Sequence, residues 1–490
     1  MSEPPQIQER ENDVSQARRI ARNTSFLTIG QIVSYAESFV YVIFVARYLG
    51  PPGLGILNFG AALIAVFNIL SNFGLQAIVT REVARDTSKA SKYAANIIPM
   101  ELLFCVLTIG LIVAFVNVAG YSPQTLDVVY ILSIGMIVSS LSSIFLAIFQ
   151  AFERLEFQAA VSVITSVVQL CAALTAIQLH LNVVAFALVS ILTSGVALVY
   201  VYVTCVRRFF VPRLEVDFTF WKSTLTEAWP MAAMAVTIMI YFRIDVVLIS
   251  LIQGTTPVGY YSIAYNLSEA STVVPVVLIA SLFPVLSRLH QDSRTSFQDM
   301  CAHAIRYLLY LALPMAFFVT LWARPIVPLL YGARFDPSVL ALQILIWAAA
   351  IMYITMVIGN AYVAANLQRL NMKLTFVGLA VNIVLNLVLI PRYTYYGASF
   401  ATVVTEASGL VLDVIILGRY GFSFGLRKTS LPPVLGLGAI AVISALLFFG
   451  NAPLALITLV DLAAYGAIIY KLGIDEQDKR IILGLLKRSQ

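Results

Sequence analysis

The chain has 490 residues, of which 60% are hydrophobic and 11% are charged, and its formal net charge is +6. A soluble domain is about half apolar and about a quarter charged. Too few polar side chains therefore remain to cover a surface that faces water. This composition excludes an ordinary soluble protein and indicates a membrane protein.

The apolar residues come in continuous blocks, each long enough to cross a bilayer core, which takes about 20 helical residues. Lipid offers the backbone no hydrogen-bond partners, and the blocks do not alternate apolar with polar residues, so they are predicted to be α-helices. We therefore predict an all-α polytopic membrane protein with about fourteen spans. In chain order, the predicted spans are 24–46, 56–79, 95–118, 128–151, 158–180, 183–206, 228–251, 260–283, 304–323, 339–362, 374–390, 397–418, 431–450 and 454–471.

Lysine and arginine are concentrated in alternate connections between the predicted spans. With the amino terminus inside, the inner segments hold 26 of the 31 basic residues and the outer segments hold 4, while Arg243 lies within a span. An excess of Lys and Arg marks the cytoplasmic side of a membrane protein. We therefore expect a multi-pass protein of the cell membrane with both termini cytoplasmic. The polar stretch from Met1 to Arg22 is not expected to be a signal peptide.

The longest inner connection, residues 207–227, separates six predicted spans from eight. Its mix of basic and aromatic residues suits a segment that lies in the membrane interface, and an ordinary basic loop is the alternative. The predicted organisation is a cytoplasmic segment at 1–23, a six-helix lobe at 24–206, an interfacial linker at 207–227, a second six-helix lobe at 228–420, two further transmembrane helices at 431–471 and a cytoplasmic tail at 472–490.

Two hairpins repeat the same glycine spacing. Gly50 and Gly55 follow the first predicted span, and Gly254 and Gly259 follow the seventh. In each pair the glycines are five residues apart, where one helix is predicted to end and the next to begin. Because related six-helix halves are a common plan among transporters, this repeat supports an organisation in two lobes.

Four segments carry a resemblance to a known family. They read RYLGPPGLGILNF at 47–59, YFRIDVVLIS at 241–250, PIVPLLYGARFDPSVLALQIL at 325–345 and VNIVLNLVLIPRYTYYGASFATVVTE at 381–406. In order and spacing they resemble the polysaccharide-export (Wzx-type) oligosaccharide flippases of the multidrug/oligosaccharidyl-lipid/polysaccharide exporter superfamily. The resemblance covers about residues 20–420, and the last two spans match only in hydrophobicity.

The resemblance implies a two-lobe, V-shaped transporter with pseudo-twofold symmetry rather than an enzyme. The implied cargo is polyprenyl-(pyro)phosphate-linked oligosaccharide, moved from the inner to the outer leaflet by alternating access for cell-surface polysaccharide or glycan assembly. The expected partners are this lipid-linked oligosaccharide, membrane lipids and glycan polymerase or transferase machinery, with no nucleic acid. No cofactor is expected besides Na⁺ or H⁺ as a coupling ion. The four cysteines lack C-x-x-C spacing and predict neither a disulfide framework nor a metal site.

Five ionisable residues lie at bilayer depth in the predicted spans: Glu37, Arg243, Asp245, Glu269 and Glu406. Such groups cost roughly 2.5–3.5 kcal/mol on insertion scales and usually face a cavity or a partner. At about 1.5 Å per residue, Arg243 and Glu269 both lie about 13 Å below the outer ends of their spans, so we predict that they pair. Asp245 points away from Arg243 on the same helix. Fixed pairs that lock helices together are one interpretation, and a wet central cavity is the other.

In the cavity interpretation, Arg243 contacts a phosphate or sugar oxygen, because its rigid fork suits phosphate. Glu37, Glu269, Asn382 and Asn386 complete the predicted substrate-binding set, and packing between helices is the alternative role of the two asparagines. Asp245 and Glu406 are the ion-coupling candidates. Six arginines are candidates for capturing the headgroup at the inner mouth, with simple positive-inside topology as the alternative: Arg18, Arg19, Arg22, Arg81, Arg85 and Arg306.

Three other functions compete with the flippase. A Na⁺- or H⁺-coupled multidrug exporter of the same superfamily suits the acidic cluster, but the four segments favour the flippase. An integral-membrane glycan polymerase or glycosyltransferase is expected to carry a large outer loop, yet the longest outer loop, about 324–338, holds Asp336 as its one acid. No D-x-D, Gly-rich phosphate loop or nucleophile elbow occurs. A membrane scaffold would leave the intramembrane charges and the repeated hairpin without a purpose.

Overall fold

The computed structural model describes residues 5–473, and it describes the side chains of residues 30–31, 33–425 and 429–473. The side chains of the predicted segment 1–23 and residues 474–490 of the predicted tail lie outside the described residues. Within them, helices form all the regular structure: α1 Pro5–Asn72, α2 Leu75–Arg85, α3 Ala90–Val118, α4 Pro123–Ala151, α5 Leu155–Gln178, α6 Val183–Arg208, α7 Phe218–Gln253, α8 Thr255–Ser271, α9 Val273–Asp292, α10 Arg294–Tyr331, α11 Ser338–Ala364, α12 Gln368–Arg419, α13 Leu426–Phe449 and α14 Leu454–Ile468.

Within residues 5–473, twelve helices are long and apolar enough to cross a membrane, with α8 and α9 counted together. Two of the twelve are broken in the middle. In α1 the break is at Gly50, with φ 66°, and in α12 it is at Thr394, with φ 52°. Each broken helix therefore holds two apolar segments, which brings the described total to fourteen. The prediction of an all-α polytopic membrane protein with about fourteen spans is confirmed.

The described chain forms two compact units. The first unit comprises residues 5–259 with 330–334, and the second comprises residues 260–329 with 335–473. In the first unit, apolar side chains of α2, α3, α4 and α6 form a buried cluster that includes Val79, Ile97 and Phe149. In the second unit, α9, α10, α11 and the end of α12 form a cluster around Tyr353 and Tyr362. The seventh helix, α7, belongs to the first unit, where it packs against α1 and α2.

Part of the predicted linker is helical. Helix α7 begins at Phe218 because the Asp217 carboxylate accepts hydrogen bonds from the first backbone N–H groups of the helix. The preceding segment is tied to the start of α3: the backbone N–H of Asp217 donates to Asn96 Oδ1 at 2.9 Å, and Trp221 Nε1 donates to the Asn96 carbonyl at 3.0 Å. Phe209 stacks on Phe149. These contacts hold the linker on the first unit.

The repeated hairpins touch each other within the first unit. Gly50 and Gly254 have φ values of 66° and 87°, a region that favours glycine. A Cβ atom on Gly55 would lie 1.9 Å from the carbonyl oxygen of Thr255, and a Cβ atom on Gly259 would lie 2.1 Å from that of Pro51. The two contacts are reciprocal, since each hairpin's second glycine faces the residue after the other hairpin's first glycine. Two hairpins related by a pseudo-twofold axis make this kind of contact.

A methyl group at either contact glycine would collide with backbone rather than with a flexible side chain. We therefore expect Gly55→Ala and Gly259→Ala each to lower the unfolding free energy by about 3 kcal/mol or more. Gly359→Ala in α11 is the matched control, because nothing lies within 4 Å of its Cβ position. That variant should gain about 0.5–1 kcal/mol from its helical position. Thermal midpoints of the purified full chain in one detergent test this, and equal midpoints for Gly55→Ala and Gly359→Ala would contradict it.

Candidate functional site

Three of the predicted intramembrane charges lie in the first unit. Asp245 is 5% exposed, whereas Glu37 and Arg243 are partly exposed. Arg243 and Asp245 are both engaged in polar or electrostatic contacts. Residues two apart on a helix point in directions that differ by about 200°, which accounts for the difference in exposure between Arg243 and Asp245. Helix α7 therefore presents a buried acid on one side and an accessible guanidinium on the other.

Glu37 lies on a polar seam between α1 and α5. Ser34, Glu37 and Tyr41 share one face of α1, since they are three and four residues apart. Ser166 donates to Ser34 at 3.3 Å, and the Tyr41 hydroxyl interacts with the Gln169 side chain. Between these two contacts, Glu37 Oε1 is buried and accepts no hydrogen bond from a described residue. The seam thus offers a carboxylate oxygen that the surrounding helices leave available.

The other predicted residues lie in the second unit. Asn386 Nδ2 donates to both the carbonyl oxygen and Oδ1 of Asn382 at 3.0 Å, and both side chains are buried. These hydrogen bonds lie within one helix, so the substrate-contact and helix-packing roles of the two asparagines both stay predictions. Glu406 is buried at 7% exposure, whereas Glu269 on α8 is exposed. The predicted pair of Arg243 with Glu269 stays a prediction.

Two arginines predicted to line the inner mouth are neutralised by carboxylates of the first unit. Arg81 forms ion pairs with Glu82, at 2.9 Å, and with Glu227. Arg85 bonds to the same Glu82 at 3.0 Å. Burial acts to lower the pKa of Arg81, but the two carboxylates outweigh it and raise that pKa above its ordinary value. A headgroup phosphate would have to compete with these carboxylates.

The remaining inner-mouth candidates differ in what the structure describes. Arg306 lies in the second unit, with its guanidinium carbon 5.4 Å from the centroid of the Tyr307 ring. The side chains of Arg18, Arg19 and Arg22 lie outside the described residues. Their predicted role in capturing a headgroup stays a prediction.

A fully buried acid of the first unit was not among the residues predicted from the sequence. Glu101 on α3 is 0% exposed, and neither carboxyl oxygen accepts a hydrogen bond of regular geometry from a described residue. The polar side chain that approaches it is Asn72. Next to it, Ser71 and Ser140 both donate to Asn68 Oδ1, at 2.9 and 3.2 Å. Glu101 therefore borders a polar cluster of Asn68, Ser71, Asn72 and Ser140.

Two further acids that lie inside predicted spans occur in the second unit, each with a hydroxyl partner: Asp413, which is partly exposed, and Asp461. The Tyr362 hydroxyl donates to Asp413 Oδ1 at 3.2 Å, and the Ser444 hydroxyl donates to Asp461 Oδ2. Asp461 is 0% exposed. A signal for all three missed acids was present, because each lies inside a predicted span. Within a span, however, the sequence alone does not distinguish a buried acid from one that reaches water.

The sequence profile of the family described as polysaccharide biosynthesis protein matches residues 20–290, more than half of the chain. The chain belongs to this family. The profile of the lipid II flippase MurJ family matches residues 222–460. The fold and the family together make the chain a multi-pass membrane protein of polysaccharide biosynthesis, as the resemblance implied.

Two curated relatives of this family member match over most of their length. The probable low-salt glycan biosynthesis flippase Agl15 of Haloferax volcanii is 20% identical over 402 residues, which cover 82% of this chain and 84% of the relative. The lipid II flippase MurJ of Bacillus subtilis is 22% identical over an alignment that covers 93% of this chain and 96% of the relative. Both alignments include the first and second units.

Solved structures share the fold. The lipid II flippase MurJ in an inward closed conformation matches with a TM-score of 0.72 at 16% identity, covering 91% of this chain and 98% of that one. A multidrug resistance MATE family transporter of the MOP superfamily, in an inward-facing conformation, matches with a TM-score of 0.67 at 14% identity, covering 83% and 99%. At these identities the likeness shows a common fold.

Glu101 and Asp461 are both fully buried but differ in their hydrogen bonds, which predicts opposite effects on stability. Glu101→Met removes a buried polar group that lacks a regular partner, so we expect the unfolding free energy to rise by about 1–3 kcal/mol. Asp461→Leu leaves the Ser444 hydroxyl without its acceptor, so we expect a fall of about 1–3 kcal/mol. Thermal midpoints of the purified chain in one detergent measure both changes. Thermal midpoints that shift in the same direction in both variants would contradict this expectation.

Proposed function

We propose that the chain is a flippase that moves polyprenyl-(pyro)phosphate-linked oligosaccharide from the inner to the outer leaflet. The observation that carries this proposal is the match to two proteins named as flippases over more than four fifths of each chain. Family membership supports a role in the assembly of cell-surface polysaccharide or glycan. The chain then acts as a transporter rather than an enzyme, and glycan polymerase or transferase machinery uses the cargo it delivers.

Arg243 is the residue proposed to hold the cargo's phosphate. Its side chain is partly exposed, so a ligand can reach it, and its planar fork matches phosphate oxygens. Glu37, with a carboxylate oxygen that accepts no hydrogen bond from the described chain, is suited to a sugar hydroxyl. In the second unit, exposed Glu269 is also suited to a sugar hydroxyl, and buried Asn382 and Asn386 are the other proposed substrate-binding residues.

A pyrophosphate needs positive charge, yet the predicted cluster holds four carboxylates and one arginine. Protonation of a carboxyl group is one way to balance the charge. Capture of the headgroup by the arginines of the inner mouth is the other, and the described members of that set are Arg81, Arg85 and Arg306. Because Lys and Arg are concentrated in the connections predicted to lie inside, we propose that both termini are cytoplasmic.

Na⁺ or H⁺ is the proposed coupling ion. Asp245 and Glu406 are buried carboxylates at bilayer depth, where a bound cation or proton removes the cost of the charge. Glu101 joins these two candidates because it is fully buried and its oxygens lack regular hydrogen bonds. A multidrug exporter is the second candidate function, because the chain shares its fold with a multidrug resistance MATE family transporter.

Replacing Arg243 tests the proposed phosphate contact. Arg243→Gln should slow flipping at least roughly tenfold, because a charge-assisted hydrogen bond contributes about 1.5–3 kcal/mol. The purified chain is placed in vesicles with lipid-linked saccharide extracted from cells that lack the chain. Flipping is measured as the fraction of saccharide that an added glycosidase can cleave. Arg324→Gln, at an exposed arginine, is the control and should flip at the wild-type rate. Normal flipping by Arg243→Gln at normal abundance would remove its proposed role.

Imposed ion gradients test Asp245 in the same vesicles. The wild-type chain should flip faster under either a Na⁺ or an H⁺ gradient, and Asp245→Asn should abolish that acceleration because the amide cannot hold the ion's charge. Asp127→Asn, at an exposed residue near the start of α4, should keep the acceleration. If neither gradient accelerates the wild-type chain, ion coupling is wrong and Asp245 needs another explanation.

A further inference from the structure

Helices α5 and α6 of the first unit enclose an open groove with a volume of about 900 Å³. A volume of this size is typical of sites that hold a small organic molecule. The groove is separate from the residues to which we assigned cargo and ion binding. Its apolar lining includes Phe157 and Ile164 of α5 and Leu192, Gly195, Val199 and Val203 of α6.

The α6 wall is a continuous apolar stripe. Its lining residues recur at intervals of three and four, which places them on one helix face. Leu192 is 52% exposed and Val199 is 64% exposed, so the protein itself does not cover the stripe. Gly195, in the middle, has nothing within 4 Å of its Cβ position and leaves a gap in the wall. Such a surface suits a hydrocarbon chain and not a sugar.

The groove ends at exposed positive charge. Arg207 and Arg208 line this end, and neither forms an ion pair with a described residue. Arg154 adds a third guanidinium, 5.1 Å from the centroid of the Phe157 ring, while its Nε atom bonds to Glu156. Helix α5 also begins here, at Leu155, and the amino terminus of a helix favours an anion.

The length of the groove matches one leaflet. From Leu192 to Arg207 the helix rises by about 22 Å at about 1.5 Å per residue. Half of a hydrocarbon core of about 30 Å is about 15 Å, and the headgroup layer accounts for the rest. A ligand that fills the groove therefore has an acyl chain along α6 and a negative group at the arginines.

We propose that this groove binds a phospholipid with an anionic headgroup, from the leaflet on the side of Arg207 and Arg208. One chain lies along Leu192, Gly195 and Val199, and the phosphate contacts the two arginines. The lipid is a bound constituent of the first unit and not the cargo, so the proposal does not depend on flipping. The lipid fills the gap at Gly195 that the protein leaves open.

Native mass spectrometry of the purified full chain tests the proposal with two lipids that have the same chains, phosphatidylglycerol and phosphatidylcholine. The wild-type chain should bind phosphatidylglycerol roughly tenfold more tightly, because both lipids carry a phosphate but the choline group of phosphatidylcholine cancels its charge, so only phosphatidylglycerol is net anionic. The double variant Arg207→Gln/Arg208→Gln should reduce this preference to less than about twofold. Equal binding of the two lipids by the wild-type chain would overturn the proposal.

A second pair of variants locates the lipid. Gly195→Leu should fill the groove and remove one tightly bound lipid, since the added side chain meets no protein atom at its Cβ. Gly110→Leu on α3 is the matched control, because it is exposed and nothing lies within 4 Å of its Cβ position. The same loss of lipid in both variants would place the lipid elsewhere. In a contrary outcome, a polyprenyl phosphate displaces phosphatidylglycerol from the wild-type chain and from Gly110→Leu but does not bind to Gly195→Leu. That result would assign the groove to a carrier lipid and overturn the proposal of a phospholipid.

Discussion

The bilayer core offers neither water nor hydrogen-bond partners, so each polar group at that depth must find its partner within the protein or at a cavity. This constraint accounts for the helical backbone and for the hydroxyl that each of Asp413 and Asp461 receives. It also sets Glu101 apart, because both of its carboxyl oxygens are buried without a regular hydrogen bond from the described chain, whereas Glu37 and Asp461 each have one such oxygen. Those exceptions are where a cargo, an ion or a proton has a reason to bind.

The reciprocal hairpin contact gives this arrangement its symmetry. Gly55 lies against the backbone that follows Gly254, and Gly259 lies against the backbone that follows Gly50. Helices approach this closely only where a side chain is absent, as small residues allow in membranes. The contact thus joins two segments that are about 200 residues apart in the chain, and it places α7, with Arg243 and Asp245, in the same compact unit as Glu37.

Hydropathy and glycine spacing predicted the helices, the number of spans and both hairpins, because these features depend on local sequence. Depth along a helix also located Arg243 and Asp245 in a membrane-spanning helix. The contacts of Arg81 with Glu227 and of Ser140 with Asn68 could not be predicted, since they join residues far apart in the chain. The start of α7 at Phe218 depended on one side-chain cap, Asp217, inside a stretch that reads as a basic, aromatic linker.

Deletion of the gene, followed by analysis of lipid-linked saccharides in each leaflet, tests the central claim most directly. A flippase account predicts that one lipid-linked oligosaccharide accumulates in the inner leaflet, that the wild-type chain reverses this, and that susceptibility to cationic drugs does not change. Unchanged lipid-linked saccharides together with increased drug susceptibility would contradict the account and identify an exporter of cationic drugs instead.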